Sequence, residues 1–250
     1  MQYHIQLSEE HGAKYAIIPG DPGRVEKIAA LLDHAQQVGY NREYNSYLGY
    51  LDGEKVLVVS TGIGGPSCAI CVEELAKIGV DTFIRVGTCG GMQPEVAPGD
   101  VVIATGAIRM DGTSKEYMPI EFPAVADFGV TTALYNAAEK LGFPNHVGVV
   151  QAKDSFYGQH SPESMPISSE LLAKWEAWKR GGCLASEMEG ATLFIVSAVR
   201  KLRAGAIFHC VWNQEVAKTA MPKERNEDTS AAIKTAVEAI RLLIAQDKKK

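Results

Sequence analysis

Short runs of apolar and β-branched residues alternate along the chain with segments whose apolar positions recur every three or four residues. The first pattern predicts strands and the second amphipathic helices, so the fold class is α/β. Strands are expected at Tyr15 to Ile18, Tyr47 to Leu51, Lys55 to Ser60, Thr82 to Val86, Asp100 to Arg109, His146 to Gln151 and Gly205 to Trp212. Asp52-Gly53 is a hairpin signal between the second and third of these. Helices are expected from Arg24 to Leu32, after Ser67, and over Asp127 to Leu141, Ser168 to Lys179 and Glu187 to Lys201. A last helix begins near Asp228 or Thr229, with Ile233, Val237, Ile240 and Ile244 on one face. Pro22 suits a helix start, where its missing N–H would have no partner anyway. Ala152 to Ile167 reads as irregular. No repeat, low-complexity stretch or linker divides the chain, so residues 1–250 read as a single domain.

Composition narrows the function classes. At 250 residues, 46% hydrophobic and 22% charged, the chain can bury one large core and is not a disordered polymer. No apolar run approaches the roughly 20 residues that span a bilayer, so no membrane partner is expected. The opening MQYHIQLSEEHG lacks a basic segment followed by an apolar one, so no secretory signal is expected. The net charge of −5 argues against coating nucleic acid, which takes clustered Lys and Arg. A small anion remains open, since a few placed arginines hold one. Lys248, Lys249 and Lys250 read as a solvated tail.

Five cysteines, an odd number, read as reduced thiols and a cytoplasmic location. Cys68 and Cys71 form a CxxC inside a helical pattern. Buried packing is the expected reading, ahead of redox chemistry or metal binding, since no second Cys pair or nearby His completes a zinc site.

Three predicted strands run into glycine-rich segments: PGDPGR from Pro19, TGIGGPS from Thr61 and RVGTCGG from Arg85. Glycines after strands let backbone N–H groups approach an anion, and a following helix adds a favourable dipole. Three such turns, two of them with arginine, point to a phosphate-like ligand. Neither GxxxxGK[ST] nor a helix-opening GxGxxG is present.

The segments IIPGDPGRVEKIA, STGIGGPS, FIRVGTCGG, EFPAVAD, DSFYGQ and SEMEGATLF, in this order and spacing, resemble the nucleoside phosphorylase-I family. PGDPxR and EME mark the wider family, while FPAVAD and FYGQ point to its uridine-cleaving branch. The resemblance runs from His4 to the final helix. It implies a three-layer α/β/α sandwich whose mixed central sheet closes partly into a barrel. It also implies a homohexamer, a trimer of dimers, with active sites shared between subunits. The implied reaction is phosphorolysis: nucleoside and inorganic phosphate give free base and ribose 1-phosphate, with no organic cofactor.

The resemblance assigns phosphate to Gly20, Arg24, Arg85 and Thr88 of one subunit and Arg42 of its neighbour. Guanidinium forks match phosphate oxygens, although any of these arginines could otherwise be a surface charge or a strand-end ion pair. Ribose falls to Thr88, Glu187, Met188 and Glu189, with His4 from the neighbour. A carboxylate accepts from both the 2′ and 3′ hydroxyls, mainly at Glu189; Glu187 could instead be a helix-start carboxylate. Phe156, Gln159, Val211 and Trp212 would surround the base, with the Gln159 amide matching uracil N3–H and O2. Arg85, Glu189 and Gln159 are the expected catalytic trio. A potassium ion between subunits would use Glu43, Ile63 and Ser67; no transition-metal site is expected.

The chain departs from the branch at two places. No arginine follows Gln159 at two residues' distance, where Gln159-His160-Ser161 stands, leaving His160 or water as donor. A second arginine is absent from Trp212-Asn213-Gln214-Glu215. Asn213 stands where purine-cleaving members carry an acidic aspartate, which disfavours a purine nucleoside phosphorylase. A nucleosidase would not need three arginines converging on an anion, and a non-catalytic sensor would not need nucleophile and sugar sites together.

Overall fold

The computed structural model describes residues 1–217 and 224–249. Its strands are β1 (Tyr15–Pro19), β2 (Asp33–Asn41), β3 (Tyr44–Leu51), β4 (Glu54–Val59), β5 (Thr82–Gly91), β6 (Val101–Met110), β7 (Ala124–Val125), β8 (Asn145–Lys153), β9 (Ala185–Glu187) and β10 (Arg203–Asn213). Its α-helices are α1 (Pro22–Ala29), α2 (Gly65–Lys77), α3 (Thr113–Tyr117), α4 (Phe128–Leu141), α5 (Phe156–His160), α6 (Ser168–Arg180), α7 (Gly190–Arg200), α8 (Gln214–Ala217) and α9 (Ser230–Asp247). Among the described residues, no helix is long and apolar enough to cross a membrane.

Local chemistry sets many of the boundaries. Asp21 caps α1 by accepting from the Gly23 N–H at 2.9 Å, and Pro22 opens the helix. Asp127 caps α4 through the Val130 N–H at 2.9 Å, and Gly142 ends it in the left-handed conformation at φ +71°. Every residue of β1 is buried, as suits a strand covered on both faces.

The strands form one mixed sheet in the order β10-β6-β8-β9-β5-β1-β4-β3-β2, with β7 on the flank of β6. A further parallel pairing joins β10 to β5, so β5, β9, β8, β6 and β10 close into a five-strand ring. Strands β1, β4, β3 and β2 extend from β5 as an open wing. One apolar cluster packs α2 and α7 against the sheet through Cys68, Val72, Leu75, Leu193 and Phe194. A second packs α1, α4 and α9 on the opposite side through Val25, Ile28, Leu134, Ile233 and Ile240. The result is the expected three-layer α/β/α arrangement with a partly closed sheet. All five cysteines are free and buried, Cys68 and Cys71 inside α2.

Two expectations need correction. The GTCGG segment is not a turn but the second half of β5, held by β10 on one side and β9 on the other. Glu187 does not start a helix: it ends β9, and α7 begins at Gly190. Lys248 and Lys249 are exposed, as a solvated tail requires, with Lys248 also donating to the Asp52 carbonyl at 2.8 Å and pairing with Glu54 at 3.3 Å; Lys250 lies outside the described residues.

Candidate active site

The direction of β9 builds the site. It runs antiparallel to β5, with Ser186 opposite Gly90 and Ala185 opposite Gly91. The chain therefore travels back along β5 after Ser186 and carries Glu187 and Glu189 to Arg85. Arg85 is 4% exposed. Its Nη2 donates to Glu189 Oε2, its Nη1 to Thr61 Oγ1 at 3.3 Å, and its Nε lies 3.7 Å from Glu187 Oε2. Burial works against the guanidinium charge, and Glu189 and Glu187 more than offset it.

The two carboxylates are held by open amides at helix starts. Glu187 accepts from the Glu189 and Gly190 N–H groups, the first free donors of α7. Glu189 accepts at 2.6 Å from Gly64, which precedes α2 at φ +93°. Burial pushes the Glu187 carboxyl up to about 7, with Arg85 opposing and Glu189 adding to the rise.

Room for an anion lies beside Arg85. A Cβ on Gly20 would sit 3.5 Å from Arg85 Nη2, so the bare backbone keeps that approach open. Arg24 donates to the Val86 carbonyl at 3.1 Å; burial lowers its pKa, Asp21 opposes that, and the nearby Arg85 charge adds to it. Thr88 is exposed on β5.

A cavity of about 380 Å³ lies next to this cluster, of a size that suits a small organic ligand. Gln151, Lys153, Gln159, His160 and Trp212 line it, with Trp175, Trp178, Leu171 and Leu172 forming its apolar wall. Gln159 Oε1 accepts from Ser186 Oγ at 2.7 Å, and its Nε2 reaches Gln214 at 3.3 Å. Lys153 Nζ donates to the same Ser186 Oγ at 2.6 Å. Burial pushes the Lys153 ammonium down to about 8, against the pull of Glu187 and Glu189.

Residues 14–245 match the family model described as Phosphorylase superfamily. The chain belongs to this superfamily. It is 55% identical to a uridine phosphorylase of Treponema pallidum, over 98% of this chain and 95% of the relative. It is 43% identical to a uridine phosphorylase of Escherichia coli, over 97% and 98%. It is also 40% identical to a guanosine phosphorylase of Halorubrum lacusprofundi, over 97% and 99%.

The structure brings Gly20, Arg24, Arg85, Glu187 and Glu189 together, and sets Gln159 and Trp212 in the cavity wall. Met188 is half-buried between the two glutamates. Phe156 and Val211 are not among the residues that line the cavity. Phe156 is half exposed on α5 with its ring 4.2 Å from that of His160, and the Val211 carbonyl accepts from the Asn226 N–H. His4 and Arg42 stand apart from Arg85. Glu74 holds His4 through Nδ1 at 2.6 Å, while Arg42 is exposed in the β2–β3 turn at φ +54°. Asn41 connects them by donating to the His4 carbonyl. Glu43 and Ser67 meet at 3.0 Å, with Ile63 78% exposed on the neighbouring loop.

The sequence alone does not single out Lys153, Ser186 or Gln151. Parallel pairing of β8 with β9 sets Gln151 opposite Ser186, and Lys153 shares the Gln151 face two residues on. Arg225 is a further unanticipated neighbour, lying over the Trp212 ring at 5.8 Å.

Proposed function

We propose that the chain catalyses phosphorolysis of uridine to uracil and ribose 1-phosphate. One observation carries this reading: residues 186–189 join two half-sites. Ser186 holds the Gln159 amide in the cavity wall, while Glu187 and Glu189 hold Arg85 beside the Gly20 turn. Near full-length identity to uridine phosphorylases supports the same reading.

In this mechanism phosphate binds at Gly20, Arg24, Arg85 and Thr88, where two guanidinium groups supply the field that attracts it. Glu189 turns to the 2′ and 3′ hydroxyls of the ribose and steadies positive charge at C1′, with Met188 against the sugar. A phosphate oxygen forms the new bond to C1′ as the C1′–N1 bond breaks. The electron pair passes into the pyrimidine ring and spreads over its carbonyl oxygens, and the released uracil anion takes a proton from solvent. Gln159 donates to one of those oxygens.

The guanosine phosphorylase relative raises purine nucleosides as a second reading. Asn213 speaks against it. Its Nδ2 donates to the Gln93 and Val96 carbonyls, its Oδ1 accepts from Glu215 and Val216, and it is 1% exposed. It caps a helix and offers no acid to a purine.

The homohexamer and the cytoplasmic location belong to the proposal. Exposed Tyr3, Ile63, Phe122, Val125 and Phe128 offer apolar surface for copies of the chain to cover. Light scattering on purified protein measures that assembly. Glu43, Ser67 and the Ile63 carbonyl are hard oxygen donors that suit potassium at a subunit boundary. If they hold it, exchanging potassium for a bulky organic cation lowers thermal stability, and unchanged melting removes the assignment.

Ultraviolet-monitored cleavage of uridine, with and without phosphate and beside inosine and guanosine, tests the function. Phosphate-dependent loss of uridine alone is expected. Purine cleavage would reassign the base pocket, phosphate-independent cleavage would make the protein a nucleosidase, and no cleavage would leave a sensor.

A further inference from the structure

The cavity contains a charge that the mechanism above does not use. Lys153 is 5% exposed, and a buried ammonium ordinarily pairs with a carboxylate. Among the described residues its one hydrogen bond goes to a neutral hydroxyl, Ser186 Oγ, and it has no ion-pair partner within 4.0 Å. Glu187 and Glu189 are already committed to Arg85 and to helix-start amides. An ammonium carries three donors and no acceptor. Two of its N–H groups are therefore left for an acceptor at a cavity wall.

We propose, resting on the phosphorolysis reading, that Lys153 is a cation of the base pocket, where it fixes the Gln159 amide through Ser186 and donates to a carbonyl oxygen of the pyrimidine.

The hydrogen-bond directions support both roles. Because Lys153 can only donate, Ser186 must accept from it and direct its single proton elsewhere. Gln159 Oε1 and Gln151 Oε1 are the two acceptors within its reach, and the one proton serves either of them at a time. When that proton lies on Gln159 Oε1, the Gln159 Nε2, one of whose hydrogens goes to Gln214, has its other hydrogen for the ligand, while Oε1 keeps a lone pair for a ring N–H. This arrangement selects a base with an N–H beside a carbonyl. The charge of Lys153 then acts on oxygens that become more negative as the glycosidic bond breaks, so its effect is larger in the transition state than in the bound nucleoside. It does this at a pocket where no arginine lies within two residues of Gln159.

The test compares wild type with Lys153→Met, Lys153→Gln and Lys153→Arg. For Lys153→Met, kcat/KM for uridine falls by about 10- to 100-fold, as for loss of a charged hydrogen bond, while KM for phosphate stays within about twofold. Inhibition by added uracil weakens in parallel, Lys153→Arg recovers part of the loss, and Lys153→Gln does not. Thermal melting reports the fold of each variant. A wild type that cleaves uridine beside a Lys153→Met variant with unchanged kcat/KM and uracil inhibition overturns the Lys153 assignment alone. Equal losses in all three variants, with phosphate KM rising in step, overturn it in favour of a structural role. A wild type that does not cleave uridine overturns the phosphorolysis reading and this one with it.

Discussion

Arg85 on β5 and Glu189 at the head of α7 hold each other in a buried ion pair, although the mechanism sends one to phosphate and the other to ribose. Without substrates they neutralise each other. Phosphate competes for the guanidinium and the sugar hydroxyls compete for the carboxylate, so each substrate releases the partner that the other needs. Such coupling favours a site charged only when both substrates are present.

Glu189→Gln tests the carboxylate. The amide keeps the size of the side chain and can still accept from Gly64 N–H, but it loses the negative charge beside C1′. We expect kcat to fall at least about tenfold, or roughly 1.4 kcal/mol of transition-state stabilisation, with the fold retained. Steady-state kinetics at saturating phosphate measure it. A fully active variant would mean that the sugar is gripped elsewhere.

Arg85→Ala leaves Glu187 and Glu189 buried without their cation. Breaking one side of a buried ion pair costs about 3–5 kcal/mol, so this variant loses stability as well as phosphate binding. Its KM for phosphate rises at least about tenfold. Denaturant melts at neutral and mildly acidic pH separate the two effects, since protonation of a carboxyl relieves the repulsion and restores part of the stability. Unchanged phosphate dependence would remove Arg85 from the anion site.

How far these features were legible depends on what each residue type reveals alone. The β1 and β10 strands, the hairpin at Asp52-Gly53 and the start of α4 at Asp127 all follow from local pattern. The second half of β5 does not, because glycine argues against a strand. Tertiary packing requires glycine there: a Cβ on Gly87 would meet Phe208 at 2.6 Å, and one on Gly91 would meet Asn213 at 2.7 Å. The β2 strand is not legible in the sequence because it is an edge strand with a mostly exposed, polar sequence. Lys153 falls just past the expected strand His146 to Gln151, in the stretch that reads as irregular, whereas β8 runs on to include it. Only the β8–β9 register, a non-local fact, sets it beside Ser186.

Glu187 gives the protein a pH signature. Its carboxyl rises from 4.5 to about 7 because it is buried, so between these values the folded protein holds a proton that the unfolded chain has lost. Stability therefore declines as pH rises through this window, and the penalty persists above it. Thermal melts from pH 5 to pH 8 should show this decline in wild type and a smaller one in Glu187→Gln. Identical slopes would mean that Glu187 does not titrate there.

His4 and Arg42 give the sharpest test of shared sites, because neither reaches Arg85 within its own chain. Glu74 holds His4 by Nδ1, and among the described residues its Nε2 makes no hydrogen bond. Arg42 stands exposed at a strained hairpin tip, a left-handed conformation that non-glycine residues seldom adopt without a reason. If both serve a neighbouring subunit, Arg42→Ala and Glu189→Gln each inactivate a site, but in different chains. Mixed oligomers assembled from the two variants then regain intact sites, up to roughly a quarter of the total for random pairing in a symmetric assembly. Co-expression with distinct affinity tags, followed by uridine assays on the doubly tagged fraction, measures the recovery. Activity no higher than that of either parent would place Arg42 outside the site.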